Sequence, residues 1–324
     1  ADWGVYDVEL TLPQHFLIGS TGDVIRRETR DSLTTHIIRA EDVHDFAWTA
    51  WPHFLTEEDT CLGVKITHLY EKDHTATVER TMTAMKNTLT YMTEWVGAYP
   101  YPSITILHPP TGCMNAGGME YPMFITGGTF WNMPEGIRGT EMVTVHEFGH
   151  NWWYGMVGNN EFEEAWLDEG INSYSEMRIM DHFYGKHSSM LDIGGFRLGE
   201  VAMQRSRYIS MPRHDKTLKP AWTYDGGGYA TMSYSKPALM LTTLENYLGR
   251  ETMDKIMRSF FQTWKFRHPH TQDFIDMVNK VTGSDYNWFF DQFLKESKEL
   301  DYRVASFGSS RPRRKKGVFV QGEE

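Results

Sequence analysis

Residues 142–155 read Met-Val-Thr-Val-His-Glu-Phe-Gly-His-Asn-Trp-Trp-Tyr-Gly, and no other stretch constrains the chain as much. Met142, Val143, Val145, Phe148 and Trp152 keep the three-to-four spacing of a buried helix, with no proline to break it. His146 and His150 then fall on one face of that helix, and Glu147 lies one step round the axis. Two imidazoles so placed can point at one ion while Glu147 flanks it without ligating it. The helix cannot do this alone, because a catalytic zinc usually takes three protein ligands and a water. A second element must therefore fold back against it.

That element is expected downstream. Residues 161–177 read as a second helix, with Trp166, Leu167, Ile171 and Tyr174 as its apolar stripe and acids near its start. Glu169 follows His150 after eighteen intervening residues, which is room for a turn through residues 154–160 and the first turns of a packed helix. Glu161, Glu163, Glu164 and Glu176 are expected to be solvated helix charges.

His-Glu-x-x-His, eighteen residues, then Glu within Trp-Leu-Asp-Glu-Gly resembles the gluzincin metallopeptidases, in the branch of aminopeptidase N and leukotriene hydrolase. Two further stretches carry the likeness. Gly117-Gly118-Met119-Glu120-Tyr121-Pro122 resembles that family's Gly-x-Met-Glu exopeptidase motif, and Tyr234-Ser235-Lys236 resembles its Tyr-x-Lys segment. The resemblance spans roughly residues 70 to 300. It implies an α+β fold: a thermolysin-like catalytic domain with a small β-sheet lobe and a mainly helical lobe, preceded by the end of an antiparallel β-sandwich. It implies one zinc per chain on His146, His150 and Glu169, with Glu147 as general base and Tyr234 as the second catalytic residue. It also implies peptide substrates with a free N-terminus, whose amine binds Glu120 beside Gly117, Gly118 and Met119.

The chain departs from the family pattern at Tyr121, where Asn is frequent, and at Asp168, also often Asn. The first departure is expected to alter the pocket lining and not the chemistry. The N-terminal part is too short for the family's complete β-domain, including the loop that usually supplies a second polar anchor for the amine. A thermolysin-like endopeptidase remains an alternative, although it would have no use for Glu120. A non-catalytic scaffold of the same fold is a further alternative, at odds with a full set of ligands, base and tyrosine. An epoxide hydrolase side activity and the preferred first residue of the substrate stay open.

The rest of the chain fits a soluble enzyme of two domains or one large one: 324 residues, 40% hydrophobic and 14% aromatic. A net charge of −11 argues against a nucleic-acid-binding body and suits cationic amines. No apolar run reaches a membrane span, no signal peptide is visible, and an N-terminal targeting region is expected to be absent from this chain, whose residues after Ala1 pattern as a strand. Residues 1–74 alternate with period two and are expected to be the C-terminal part of a β-sandwich; 75–304 form the peptidase domain. Within it Val78, Met82, Met85, Leu89, Met92 and Val96 make a helical stripe, residues 103–108 a strand, and 187–207, 235–248, 251–266, 271–281 and 285–297 helices. Residues 225–229 are expected to be a mobile loop near the cleft, and 305–324 a basic linker or the start of a truncated further module. Cys61 and Cys113 lie too far apart in sequence to suggest a framework, and Cys113 is expected to be a small buried filler.

Overall fold

The period-two stretches at the start of the chain become antiparallel strands: β1 (Gly4–Pro13), β2 (Leu17–Ser20), β3 (Asp23–Arg30), β4 (Leu33–Val43) and β5 (Trp48–Trp51). They pair in the order β1–β4–β3, with β2 against β5. This is a computed structural model that describes residues 2–128, 132–211, 215–225, 227–297 and 306–309. Along β4, Ile38, Ala40 and Val43 turn inward and are at most 2% exposed.

Strands β6 (Leu55–Cys61), β7 (Val64–Tyr70), β8 (Ser103–Leu107) and β9 (Phe124–Thr126) form a second sheet in that order. The first pair is antiparallel and the other two are parallel. Parallel neighbours need a crossover, and helix α1 (Val78–Trp95) supplies it between β7 and β8. This sheet runs across residue 74, where the sequence pattern divides a β-sandwich from the peptidase domain. A period of two marks a strand but says nothing about its partner.

Met82, Met85, Leu89 and Met92 of α1 are no more than 5% exposed; each such burial stabilises by about 1.5–3 kcal/mol, an upper value. Helix α1 packs on α2 (Gly139–Gly149), and α2 on α3 (Ile171–Tyr184). Among the described residues the remaining α-helices are α4 (Glu200–Ser210), α5 (Gly228–Ala230), α6 (Lys236–Leu248), α7 (Arg250–Trp264), α8 (Thr271–Thr282) and α9 (Asn287–Phe290). Two π-helical turns, Trp166–Gly170 and Thr231–Ser235, lead into α3 and α6. Such turns carry one more residue than an α turn and occur often at functional sites. No helix among the described residues is long and apolar enough to cross a membrane.

Three local expectations are corrected. Residues 187–207 are not one helix: β10 (Leu191–Ile193) and β11 (Phe196–Leu198) form a hairpin ahead of α4. Gly194 and Gly195, at φ +59° and +86°, make its turn, a Gly-Gly signal that outweighs the helical spacing around it. The helix expected over 161–177 begins only at Trp166. Cys113 is exposed, not a buried filler, because it lies in the loop after β8. The basic stretch 311–316, the residues after it, and Gly226 of the 225–229 loop lie outside the described residues.

Candidate active site

Helical backbone continues through His150, which closes α2 at φ −60°, ψ −22°. The rings of His146 and His150 therefore stack along one face, edge to face, with centroids 4.8 Å apart. Glu169 reaches them from the π turn that leads into α3. His146 Nε2, His150 Nε2 and Glu169 Oε2 form a nearly equilateral triangle: 3.2 Å between the nitrogens, and 3.2 and 3.1 Å from each to the oxygen. Tetrahedral zinc with bonds of about 2.0–2.1 Å sets its donors roughly 3.3 Å apart. Two imidazoles and one carboxylate at this spacing fit that ion.

The outer side of each ring is held as well. His146 Nδ1 lies 2.8 Å from Glu176 Oε2, and Asn172 Nδ2 donates to the His146 carbonyl at 2.7 Å. His150 Nδ1 lies 2.7 Å from Asp168 Oδ1, without the alignment of a hydrogen bond, and 3.3 Å from the Trp153 carbonyl. A proton kept on Nδ1 leaves the Nε2 lone pair for a metal. Burial opposes charge on His146, yet its bonds to Glu169 and Glu176 prevail and raise its pKa to about 10. Burial likewise opposes charge on His150, and the Asp168 and Glu169 charges overcome it. The cluster thus attracts positive charge to the point its donors share. Glu176 is only 3% exposed, so it is not the solvated charge expected. It stands seven residues after Glu169, two helical turns on and on nearly the same face, which is the signal that marks it.

Glu147 is 7% exposed, and burial pushes its carboxyl up to about 7, with the charges of His146 and His150 opposing. Gly118 passes directly over it: a Cβ built there would meet Glu147 Oε1 at 3.5 Å, and φ is +70°. The motif segment reaches the sheet through one antiparallel bridge, Met119 to Thr126. Met119 is 37% exposed, and Gly117 is half-buried at the end of a short 3-10 turn. Glu120 is half-buried, and its carboxylate oxygen lies within 4.8 Å of a ring nitrogen of His150 and an oxygen of Asp168.

Tyr234 sits in the second π turn. Its ring stacks on His146 with centroids 5.6 Å apart and planes 18° from parallel, and its hydroxyl donates to Glu169 Oε1. Burial, and then the Glu169 charge, hold that hydroxyl protonated. Gly170 lets the first π turn approach the second and α6, since a Cβ there would lie 3.1 Å from the Ser233 carbonyl oxygen and 2.6 Å from Pro237 Cγ. His146, Glu147, His150, Glu169, Tyr234, Gly118 and Glu120 are thus drawn together around the donor triangle, and Gly117 and Met119 flank Gly118 and Glu120 in the same segment. Asp168, Asn172 and Glu176 join them without having been recognised as part of the site.

The domain model for peptidase family M1 matches residues 79–293, and the chain belongs to that family. Its relatives include leucine aminopeptidase 2-1 of Meyerozyma guilliermondii, 28% identical over 170 residues, covering 50% of this chain and 26% of that protein. A leukotriene A-4 hydrolase homolog of Botryotinia fuckeliana is 27% identical over 202 residues, covering 57% of this chain and 30% of the other. A mutant M1 zinc metallopeptidase of Deinococcus radiodurans, solved with a bound Tyr-Ser-Ala substrate, shares the fold. The TM-score is 0.72 at 17% identity, over 93% of this chain and 66% of that one. The chain spans between a quarter and a third of the two sequence relatives' lengths.

Proposed function

We propose that the chain is the catalytic part of a zinc aminopeptidase. The observation that carries this reading is the triangle of His146, His150 and Glu169 donors with Glu120 beside it. Zinc held by those three residues would supply a Lewis acid and an activated water. Glu147, buried with a carboxyl that titrates near neutrality, takes the water's proton and passes it to the leaving amine. The Tyr234 hydroxyl, protonated at any working pH, turns from Glu169 to the peptide carbonyl oxygen as charge develops there. Glu120 binds the substrate's α-ammonium, with Gly117, Gly118 and Met119 lining the approach, and so fixes cleavage one residue from the end. The half-buried carboxylate has a reason to be there once an ammonium neutralises it. We also propose that the residues before β6 form the C-terminal part of a β-sandwich and those from β6 onward the peptidase unit, because β6 pairs with β7 and β7 with β8.

A panel of aminoacyl fluorogenic substrates, with and without chelator and matched with N-acetylated versions, tests the reading. Free-amine substrates are expected to be cleaved, and both chelation and acetylation to abolish cleavage. Glu120→Ala is expected to raise KM about tenfold or more, as loss of a charge-assisted bond does, with a smaller change in kcat. Equal cleavage of acetylated and free-amine peptides by the wild type would hand the site to the endopeptidase reading.

A further inference from the structure

Helix α4 contributes no residue to the donor triangle, yet it buries two polar side chains: Glu200 at 0% exposure and Gln204 at 3%. Gln204 Nε2 donates to Glu200 Oε1 at 3.0 Å. Ser235 Oγ, itself in a residue only 1% exposed, donates to Gln204 Oε1 at 2.6 Å. Ser235 is the neighbour of Tyr234 in the π turn. On the other side the Glu200 carboxyl adjoins that of Glu176: Glu200 Oε2 and Glu176 Oε1 are buried with no other partner, and Glu176 Oε2 meets His146 Nδ1. Four buried side chains thus link the ring of His146 to the turn that carries Tyr234.

Two carboxyls can bond only if one holds a proton. Burial, and then the charge of Glu176, put that proton on Glu200. Every donor then has one direction: Ser235 to Gln204, Gln204 to Glu200, Glu200 to Glu176. The other oxygen of Glu176 meets His146 Nδ1 at 2.8 Å. Burying this many polar atoms costs free energy unless each is paired, and an apolar contact between α4 and α6 would avoid the cost altogether. The pairing has another use.

We propose that Glu200 and Gln204 are positioning residues, which tie the orientation of the His146 ring to the π turn bearing Tyr234 and so fix the distance between metal ligand and hydroxyl. This rests on the proposed function. It predicts an unusual tolerance: Glu200→Gln keeps an N–H for Glu176 and a carbonyl for Gln204, whereas Glu200→Leu and Gln204→Met break the chain. Zinc affinity, measured by chelator competition, is expected to be unchanged within twofold in Glu200→Gln and weakened about tenfold in Glu200→Leu, as loss of an outer partner of a ligand does. In peptide turnover, Gln204→Met is expected to lower kcat about tenfold with KM within twofold. Combined with Tyr234→Phe, it is expected to add nothing, because the hydroxyl it positions is gone. A Glu200→Gln variant as impaired in zinc binding as Glu200→Leu, or a Gln204→Met loss that multiplies fully with Tyr234→Phe, would overturn the proposal. If the protein binds zinc but cleaves no peptide, the functional reading fails while the zinc ratio still decides the positioning role. Should Glu200→Leu not fold, Glu200→Gln and Gln204→Met carry the same two tests.

Discussion

Two pairs of buried histidines meet ring to ring among the described residues. His146 and His150 bring their Nε2 atoms within 3.2 Å; His68 of β7 and His108, just past β8, bring Nε2 and Nδ1 within 2.6 Å. None of the four is more than 7% exposed. Their acid–base behaviour is nonetheless opposite. Burial drives the His108 pKa down to about 3 and pushes His68 well below its ordinary value, with neighbouring histidines adding to the effect. His146 is raised to about 10 in spite of burial. The difference is the carboxylates: Glu169, Glu176 and Asp168 surround the first pair, while the second is packed against Tyr70 and the Gly127 backbone. Burial by itself makes imidazole neutral; only charges set around it reverse that. Among the described residues, the two groups able to hold a metal both include His150, and neither includes His68 or His108.

Substitution of the ligands tests that contrast most severely. His146→Ala, His150→Ala or Glu169→Ala is expected to reduce bound zinc from about one per chain to none by elemental analysis, with turnover lost. His108→Asn is expected to leave the zinc content intact. Zinc lost from His108→Asn, or absent from the zinc-loaded wild type, would erase the distinction between the pairs.

Glu147→Gln separates base from ligand within the first cluster: zinc retained, turnover lower by about 10²–10⁴. Retained turnover would remove Glu147 from the mechanism. Tyr234→Phe is expected to cost about 10²–10³ in kcat with little change in KM, since the bond to the carbonyl oxygen strengthens only in the transition state. A change confined to KM would make the residue a binding group.

The smallest effect belongs to the second pair. With the folded-state pKa of His108 below the ordinary 6.5, the unfolded chain takes up the proton first. Its contribution to stability is therefore complete above pH 6.5 and lost as pH falls towards 3, by about 2 kcal/mol between 6.5 and 5. Denaturant melts of wild type and His108→Asn across that interval are expected to converge as the pH drops. Parallel curves would mean that the pair is not held neutral.

Much of the site was legible because helical spacing is local. His146, Glu147 and His150 lie on one continuous turn, and the resemblance supplied Glu169, Glu120 and Tyr234 through motifs only a few residues long. Glu176 was within reach, two turns from Glu169, but an acid on a helix reads as solvated until its neighbours are known. His68 and His108 are forty residues apart and meet only because β7 and β8 pair in parallel. No sequence period announces that meeting.

The sequence by itself determined the elements and the chemistry: a helix with two imidazoles on one face, an acid at the right distance to return, and methionine-rich stripes that had to be buried. These follow from spacing along one chain, where geometry is set by 1.5 Å of rise per residue in a helix. Tertiary structure alone decided that β6 and β7 share a sheet with β8 and β9. It also decided that the Glu176 and Glu200 carboxyls adjoin, and that one pair of buried histidines is surrounded by carboxylates while the other is held neutral. Each of these depends on which groups from distant segments enter the same low-dielectric space, where a neighbouring charge outweighs the intrinsic preference of the side chain.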